Sequence, residues 1–340
     1  ELIFRDIVDV RRIQITGGSS FMVTLPKDWA DSVGLKKNDS VSLQGQPDGS
    51  IVIYPQGARK TAERTIKTID VDTVSDREYL YRLLVGSYIA GHSAIELRSS
   101  GQISSMVAGV ASSFTQTAIG LEIMDESDNR ILIKDLMDQT EMRPAKSIER
   151  LRVLIKNLLT DVLDDAEAKR KNIFEGLNDK DREIDRIDWL ISRQVNIYQK
   201  EYSLARKIGS NLCEITRSNT ASRALERIGD HTLLVAKNLD ILIAEPGTSE
   251  VMKEIVSIGR EVCEQISMSV TNWLNKDMVM ANRCIEESTL LVKRTEVLSR
   301  MAANLDQNGG MASSTIAGSL RRMAEYAMDL SELAINSAMD

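Results

Sequence analysis

The pattern of apolar residues changes once along the chain, from short alternating runs in the first 55 residues to helical periodicity in nearly everything after Pro144. Alternation over residues 12–16 and 21–25, with a glycine-rich turn between them, predicts a β-hairpin. Residues 26–34 begin with proline and end with glycine, which is typical of one short helix. A second hairpin is predicted over residues 40–54. Strands and long helices therefore occupy separate parts of the chain.

About 50 residues with four short strands and a two-turn helix bury little apolar surface by themselves. We therefore expect the amino-terminal domain, residues 5–57, to form a homodimer in which a second chain supplies the missing part of the core. An α+β connector is predicted over residues 58–143. Its predicted helices and strands are residues 76–97, 103–117, 120–124 and 130–133.

After Pro144 the periodicity predicts six helices, with breaks at short polar or glycine-containing segments, among them residues 217–219. Pro246 and Gly247 divide these helices into two groups of three. A weak internal repeat at an offset of 95 residues relates the two groups. We therefore expect two tandem three-helix bundles, residues 144–246 and 247–340. The predicted fold is mainly α with a small β domain.

Composition excludes several classes of protein. Two histidines in 340 residues leave almost no material for a Ser-His-Asp triad or a histidine-rich metal centre, so we expect no enzymatic activity. Three scattered cysteines form no disulfide framework and predict a reducing, cytoplasmic location. Charged residues interrupt every apolar run before it reaches the length of a membrane span, so we do not expect an integral membrane protein.

Charge limits where nucleic acid could bind. The net charge of -7 repels phosphate. The first 60 residues, however, hold eight Lys and Arg against seven Asp and Glu. A DNA contact is therefore expected only at the amino-terminal end.

Acidic residues accompany the apolar seam of two predicted helices in the first bundle. Asp181 and Asp185 are four residues apart, as are Glu226 and Asp230, so each pair lies on one side of its helix. If the two helices are neighbours, the four carboxylates form a site for a hard or borderline cation such as Mg, Mn, Fe or Zn. The alternative is a solvated acidic face whose charge is offset by neighbouring arginines. These arginines are Arg182, Arg186 and Arg227.

Two helical motifs of the first bundle resemble a known family. Residues 225–231, Leu-Glu-Arg-Ile-Gly-Asp-His, and residues 181–187, Asp-Arg-Glu-Ile-Asp-Arg-Ile, are similar to the signature helices of PhoU-type phosphate-uptake regulators. The resemblance covers about residues 146–340 and implies two three-helix bundles with bound metal, commonly iron or zinc. In the second bundle Arg321 stands where the family has an acidic residue, and an arginine repels a cation. We therefore expect metal only in the first bundle.

The amino-terminal domain resembles a second family. Residues 21–29, Phe-Met-Val-Thr-Leu-Pro-Lys-Asp-Trp, and residues 34–39, Gly-Leu-Lys-Lys-Asn-Asp, are similar to the swapped-hairpin AbrB/SpoVT/MazE module, in which two chains interleave hairpins into one barrel. The similarity implies half of such a barrel and a homodimer, which either binds DNA or only dimerises. Ile13 and Ile15 are expected to face the core. The candidate DNA-binding residues are Arg11, Arg12, Gln14, Lys27, Lys36 and Lys37.

The combination of this module with a PhoU-like half is similar to the arrangement in archaeal phosphate-uptake regulators. The similarity implies a dimeric DNA-binding transcriptional regulator whose helical half senses phosphate status. The alternative is an adaptor that restrains the ATPase of a phosphate transporter or a sensor kinase, with the barrel serving only for dimerisation. The two hypotheses differ at Arg12 and Lys37, which matter only if DNA is bound.

Overall fold

The computed structural model describes residues 9–18, 20–45, 49–55 and 65–339. Its contacts divide the chain into two compact units, residues 1–65 and residues 66–340. The predicted domain limits at residues 5 and 57–58 lie outside the described residues. Mainly helical structure with a small β domain confirms the predicted fold class.

The amino-terminal unit consists of two antiparallel hairpins with a short helix between them in the chain. The first hairpin pairs β1 (Gln14–Thr16) with β2 (Ser20–Met22), and the helix α1 spans Lys27–Ser32. The second hairpin pairs β3 (Val41–Gly45) with β4 (Ile51–Pro55). Both predicted hairpins and the predicted helix are therefore confirmed.

The described strands of this unit contain no fully buried residue. Ile13 and Ile15 are each 68% exposed, and Phe21 is 77% exposed. The two hairpins form separate two-stranded sheets, and no barrel closes among the residues described in a single chain. Ile13 and Ile15 thus face no core among the described residues of this unit, because so short a unit encloses little apolar surface.

The second unit begins with a four-stranded sheet and two helices, which we call the α/β module (residues 66–135). In chain order its elements are β5 (Ile66–Asp70), α2 (Arg77–Ile89), β6 (Ala94–Arg98), α3 (Ser105–Thr117), β7 (Leu121–Ser127) and β8 (Arg130–Asp135). The strand order is β5, β6, β8, β7; β5 and β6 are parallel, and the other neighbours are antiparallel. Buried residues of the sheet and both helices form one core.

Two strands of the α/β module are missing from the sequence prediction. The helix predicted over residues 76–97 ends at Ile89, and residues 94–97 belong to β6 in the middle of the sheet. Gly91 makes this turn possible, because its φ is +86° and a Cβ there would lie 2.8 Å from Cγ1 of Ile197. Strand β5 escaped prediction because it lies at the sheet edge, with Ile69 its one buried residue.

Long helices make up the rest of the second unit. They are α4 (Pro144–Glu167), α5 (Asn178–Lys200), the short α6 (Tyr202–Lys207), α7 (Leu212–Ala244), α8 (Ser249–Asn275), α9 (Met278–Ala302) and α10 (Gln307–Ala338). Helices α4, α5 and α7 pack together, and so do α8, α9 and α10, which gives two three-helix bundles. The bundles share one core, because α4 packs on α8 and α7 packs on α10. In the part of the chain that is described, no helix has the length and hydropathy needed to cross a membrane.

The helix break predicted at residues 217–219 is wrong, since α7 runs through this segment without interruption. The polar side chains there have partners on helices. The Ser218 hydroxyl donates to the carbonyl of Glu214 at 2.9 Å, and Asn219 accepts from the Ser192 hydroxyl of α5 at 2.9 Å. The chain turns instead between α5 and α7, where α6 lies, so the described helical region has seven helices and not six.

A buried ion pair joins the α/β module to the first bundle. Arg193 of α5 has a side chain only 1% exposed, and it donates to Asp135 Oδ2 at 2.6 Å. It also donates to the carbonyls of Tyr88 at 2.5 Å and His92 at 2.9 Å. These carbonyls lie at or just beyond the last turn of α2, where the helix dipole favours a cation. Arg193 therefore holds the α/β module in place on α5.

Replacing Arg193 with methionine should destabilise the second unit by about 3–5 kcal/mol, because the variant leaves the Asp135 carboxylate buried without a countercharge. Urea unfolding followed by circular dichroism measures the change. Arg260→Met is the matched control, since Arg260 pairs with Asp164 and Glu167 in an exposed position and its loss should cost less than about 1 kcal/mol. Equal losses in the two variants would contradict the special role of the buried pair.

Candidate functional site

Helices α5 and α7 approach each other closely where Gly229 of α7 packs on Ile184 of α5. A Cβ at Gly229 would lie 3.2 Å from Cδ1 of Ile184, so a larger residue there would force the Ile184 side chain to shift by a few tenths of an ångström. Acidic residues flank this contact, two on each helix and four residues apart, which places each pair on one ridge. We call these residues the acidic cluster: Asp181, Asp185, Glu226 and Asp230.

The carboxylates of the acidic cluster repel one another. The pKa of Asp185 is raised to about 7, first by burial and then by the charges of Asp181, Glu226, Asp230 and Asp188. Burial also raises the pKa values of Asp181 and Glu226, and the charge of Asp230 adds to both effects. The structure thus brings together all four acidic residues singled out in the sequence.

Neighbouring arginines have other partners. Arg182 pairs with Asp179, and Arg186 pairs with Glu183 at 2.6 Å. Arg227 lowers the pKa of Asp230 through its charge, although burial still raises that pKa overall. Among the described residues, no lysine or arginine forms an ion pair with a member of the acidic cluster. The charge of Arg227 therefore acts on Glu226 and Asp230 without an ion pair.

A cation fits the chemistry of the acidic cluster. All its donors are carboxylate oxygens, which hard and borderline cations bind, and a bound cation would offset the mutual repulsion that raises these pKa values. Within the described ranges, no three His, Cys, Asp or Glu side chains are already arranged as ligands of one metal ion. The donor chemistry of the acidic cluster therefore suits a cation, whereas the described geometry does not form a site for one.

The second bundle carries ion pairs at the position that corresponds to the α7 acids. Arg321 Nε donates to Glu325 Oε1 at 2.9 Å, and Arg322 donates to Glu325 Oε2 at 2.7 Å. One carboxylate is thus bridged by two guanidinium groups. Positive charges at this place repel a cation.

The six candidate DNA-binding residues are all exposed on the amino-terminal unit. Arg11 pairs with Asp9 at 2.5 Å, whereas the other basic residues of the set form no ion pair with any described residue. The set is spread over the first hairpin, the start of α1 and the turn before β3. The backbone N–H of Lys36 donates to Asp39 at 2.8 Å and so stabilises that turn. The members are Arg11, Arg12, Gln14, Lys27, Lys36 and Lys37.

Comparison with known families agrees with this geometry. Residues 14–61 match the family described as antidote-toxin recognition MazE, bacterial antitoxin, and residues 148–239 match the PhoU domain. Both are regulatory domain families. The chain is therefore similar to a MazE-type domain in its amino-terminal part and to a PhoU domain further on, and the PhoU match contains the whole acidic cluster. No curated protein matches the sequence significantly.

The sequence did not show that Asp188 has a different environment from Asp181 and Asp185, the members of the acidic cluster that precede it on α5. Asp188 is 1% exposed. Its Oδ1 accepts a hydrogen bond from the Ser222 hydroxyl at 2.8 Å, and its Oδ2 forms an ion pair with Arg223 at 3.0 Å. This carboxylate is therefore neutralised, while its neighbours on the ridge are not. The polar residues Ser222 and Arg223 of α7 were the sequence feature that could have indicated this environment. Only the packing of α5 on α7 shows that they contact Asp188.

The raised pKa of Asp185 makes the stability of the second unit depend on pH. This carboxyl ionises near pH 3.8 in the unfolded chain and near pH 7 in the folded one. The folded state therefore holds an extra proton between these values, and stability falls as pH rises through this window.

Asp185→Asn should therefore raise the free energy of unfolding by more than about 1 kcal/mol at pH 8 and change it little at pH 4. Urea unfolding of EDTA-treated protein at the two pH values measures the difference. Asp161→Asn is the control, because Asp161 lies exposed on α4 and pairs with Lys180 at 2.6 Å. A gain of equal size at both pH values would show that Asp185 is not titrating in this range.

Proposed function

We propose that this protein regulates phosphate uptake as a dimeric DNA-binding transcriptional regulator whose PhoU half senses phosphate status. The observation that carries the proposal is the union, in one chain, of a MazE/AbrB-like domain and a PhoU domain. Domains of the first type dimerise or bind DNA, and domains of the second type act in phosphate homeostasis. We propose that DNA binding and phosphate sensing both take place in the cytoplasm.

Exposed apolar side chains support a homodimer through the amino-terminal unit. Ile15, Phe21, Leu43 and Ile51 are between 65% and 77% exposed in the single chain. An isolated two-stranded hairpin is only marginally stable in water, so a second copy that covers these side chains would stabilise both chains. A two-fold dimer would also present every basic residue twice.

Unpaired basic residues support the contact with DNA. Arg12, Lys27, Lys36 and Lys37 are exposed and form no ion pair with other described residues, so a DNA phosphate would not have to displace an internal partner. The amide of Gln14 is suited to pairing with a base edge. Arg11 contributes less, because Asp9 already neutralises it.

The acidic cluster is the proposed metal site of the sensing half. Its residues Asp181, Asp185, Glu226 and Asp230 would hold an Fe, Zn, Mg or Mn ion. The ion would supply a positive charge that links α5 to α7. The proposal is supported by the four carboxylates that lack an ion-pair partner among the described residues and by the raised pKa of Asp185.

The competing function is an adaptor that binds the ATPase of a phosphate transporter or a sensor kinase. Acidic residues close to the basic ones in the chain favour it, since Asp28, Asp31 and Asp39 reduce the attraction of the amino-terminal unit for DNA. In that case the unit only dimerises, and the helical bundles contact the partner protein.

Fluorescence anisotropy against DNA from the region upstream of the protein's own gene, and against a scrambled duplex, tests the DNA proposal over a salt series. Arg12→Ala and Lys37→Ala should each weaken binding about tenfold and reduce its salt dependence, because each removes two phosphate contacts per dimer. Lys253→Ala is the matched control, since Lys253 is an exposed lysine of α8. Absence of binding at low salt would favour the adaptor function.

Metal binding is tested on EDTA-treated protein by adding Fe, Zn, Mg or Mn and measuring the thermal midpoint of unfolding. A metal that binds only the folded chain stabilises it by about 2.7 kcal/mol at a hundred times its Kd. Glu226→Gln should abolish the rise in midpoint. Glu264→Gln, at an exposed position of α8, should leave the rise unchanged. If none of the four metals raises the midpoint of the unchanged protein, the metal proposal fails.

A further inference from the structure

A cleft between α7 and α10 contains several polar groups that the proposed function does not use. Its volume is about 480 Å³. Helix α7 contributes His231 and Leu234 to its lining. Helix α10 contributes Thr315, Gly318, Ser319, Arg321, Arg322 and Glu325.

The two arginines of the cleft have more N–H donors than their partners use. Each guanidinium carries five donors, and Glu325 accepts one hydrogen bond from each arginine. Arg322 also donates to the Tyr326 hydroxyl at 3.5 Å. The terminal amino groups of Arg321 donate to no described residue. Both side chains are about half exposed, at 50% and 54%, so their remaining donors are accessible from the cleft.

A buried aromatic ring holds the basic groups of the cleft in position. Tyr326 is 8% exposed, the Arg322 guanidinium lies 5.3 Å from the centre of its ring, and the His231 ring centre lies 6.1 Å from it. Nδ1 of His231 is buried and has no hydrogen-bond partner among the described residues. Gly318 is exposed, and no atom lies within 4 Å of the place where a Cβ would be, so this part of the lining is open.

We propose that this cleft binds a phosphate group, either as inorganic phosphate or as part of a nucleotide. Planar guanidinium groups match the geometry of phosphate oxygens, and two of them at adjacent positions give several parallel hydrogen bonds. The proposal rests on the phosphate-sensing function proposed above and names the site of the ligand, and it stands whether or not the amino-terminal unit binds DNA.

The chain has only two histidines, His92 and His231, so an NMR titration can follow the cleft through His231 and use His92 as an internal reference. In the EDTA-treated full chain with ¹³C-labelled histidine, inorganic phosphate and AMP are titrated separately, and sodium chloride at equal ionic strength is the reference. The His231 resonance should shift and saturate with at least one of the two phosphate compounds, while His92 in the α/β module should not move. Saturation with inorganic phosphate assigns free phosphate as the ligand, and saturation with AMP alone assigns a nucleotide.

Arg321→Gln should weaken the binding at least tenfold in the same titration. Arg283→Gln is the matched control, because Arg283 makes an equivalent ion pair with Glu287 four residues later on α9, at 2.8 Å and outside the cleft. The proposal is overturned if neither compound shifts His231, or if Arg283→Gln weakens binding as much as Arg321→Gln.

Discussion

The guanidinium of Arg193 sets the position of α5 in the second unit. Its charge is buried, and Asp135 and two carbonyl groups around the end of α2 compensate for the lost hydration. Asp185 lies eight residues earlier on the same helix, about 12 Å along its axis. One rigid helix therefore anchors the α/β module at one point and presents half of the acidic cluster at another.

The small size of Gly229 allows the α7 half of the acidic cluster, Glu226 and Asp230, to lie close to the α5 half. Carboxylates repel each other, so four of them gather only where packing of the surrounding apolar residues offsets the repulsion. Ile184 on Gly229 supplies such packing at the level of the acids. The neighbouring Asp188 has a different environment, in which a serine donates one hydrogen bond to the buried carboxylate and an arginine forms an ion pair with it.

Much of the helical fold could be predicted from the sequence, because each long helix buries one face and leaves a periodic apolar seam. Prediction failed where a local signal competed with distant packing. The polar residues 217–219 look like a turn, yet Asn219 bonds to Ser192 of another helix. Residues 94–97 continue an apolar pattern that fits either a helix or a buried strand, and the turn at Gly91 decides between them.

For the candidate site, the sequence could predict only which acidic residues lie on the same side of one helix. Pairs four residues apart identify Asp181 with Asp185 and Glu226 with Asp230. Spacing does not show that α5 and α7 are neighbours, nor that Arg182 and Arg186 turn to other carboxylates. The cleft at His231 was equally hidden, since its residues come from helices about 90 positions apart in the chain.

The exposed hairpins of the amino-terminal unit have a thermodynamic consequence that the helical unit does not share. A segment that has no core within one chain gains its stability from association, so its folded fraction depends on the concentration of the chain. The helical unit has its own buried core and does not need a second copy. Under the proposed dimerisation, a cell that makes more of this protein would therefore hold a larger fraction of the amino-terminal unit in its associated, structured form.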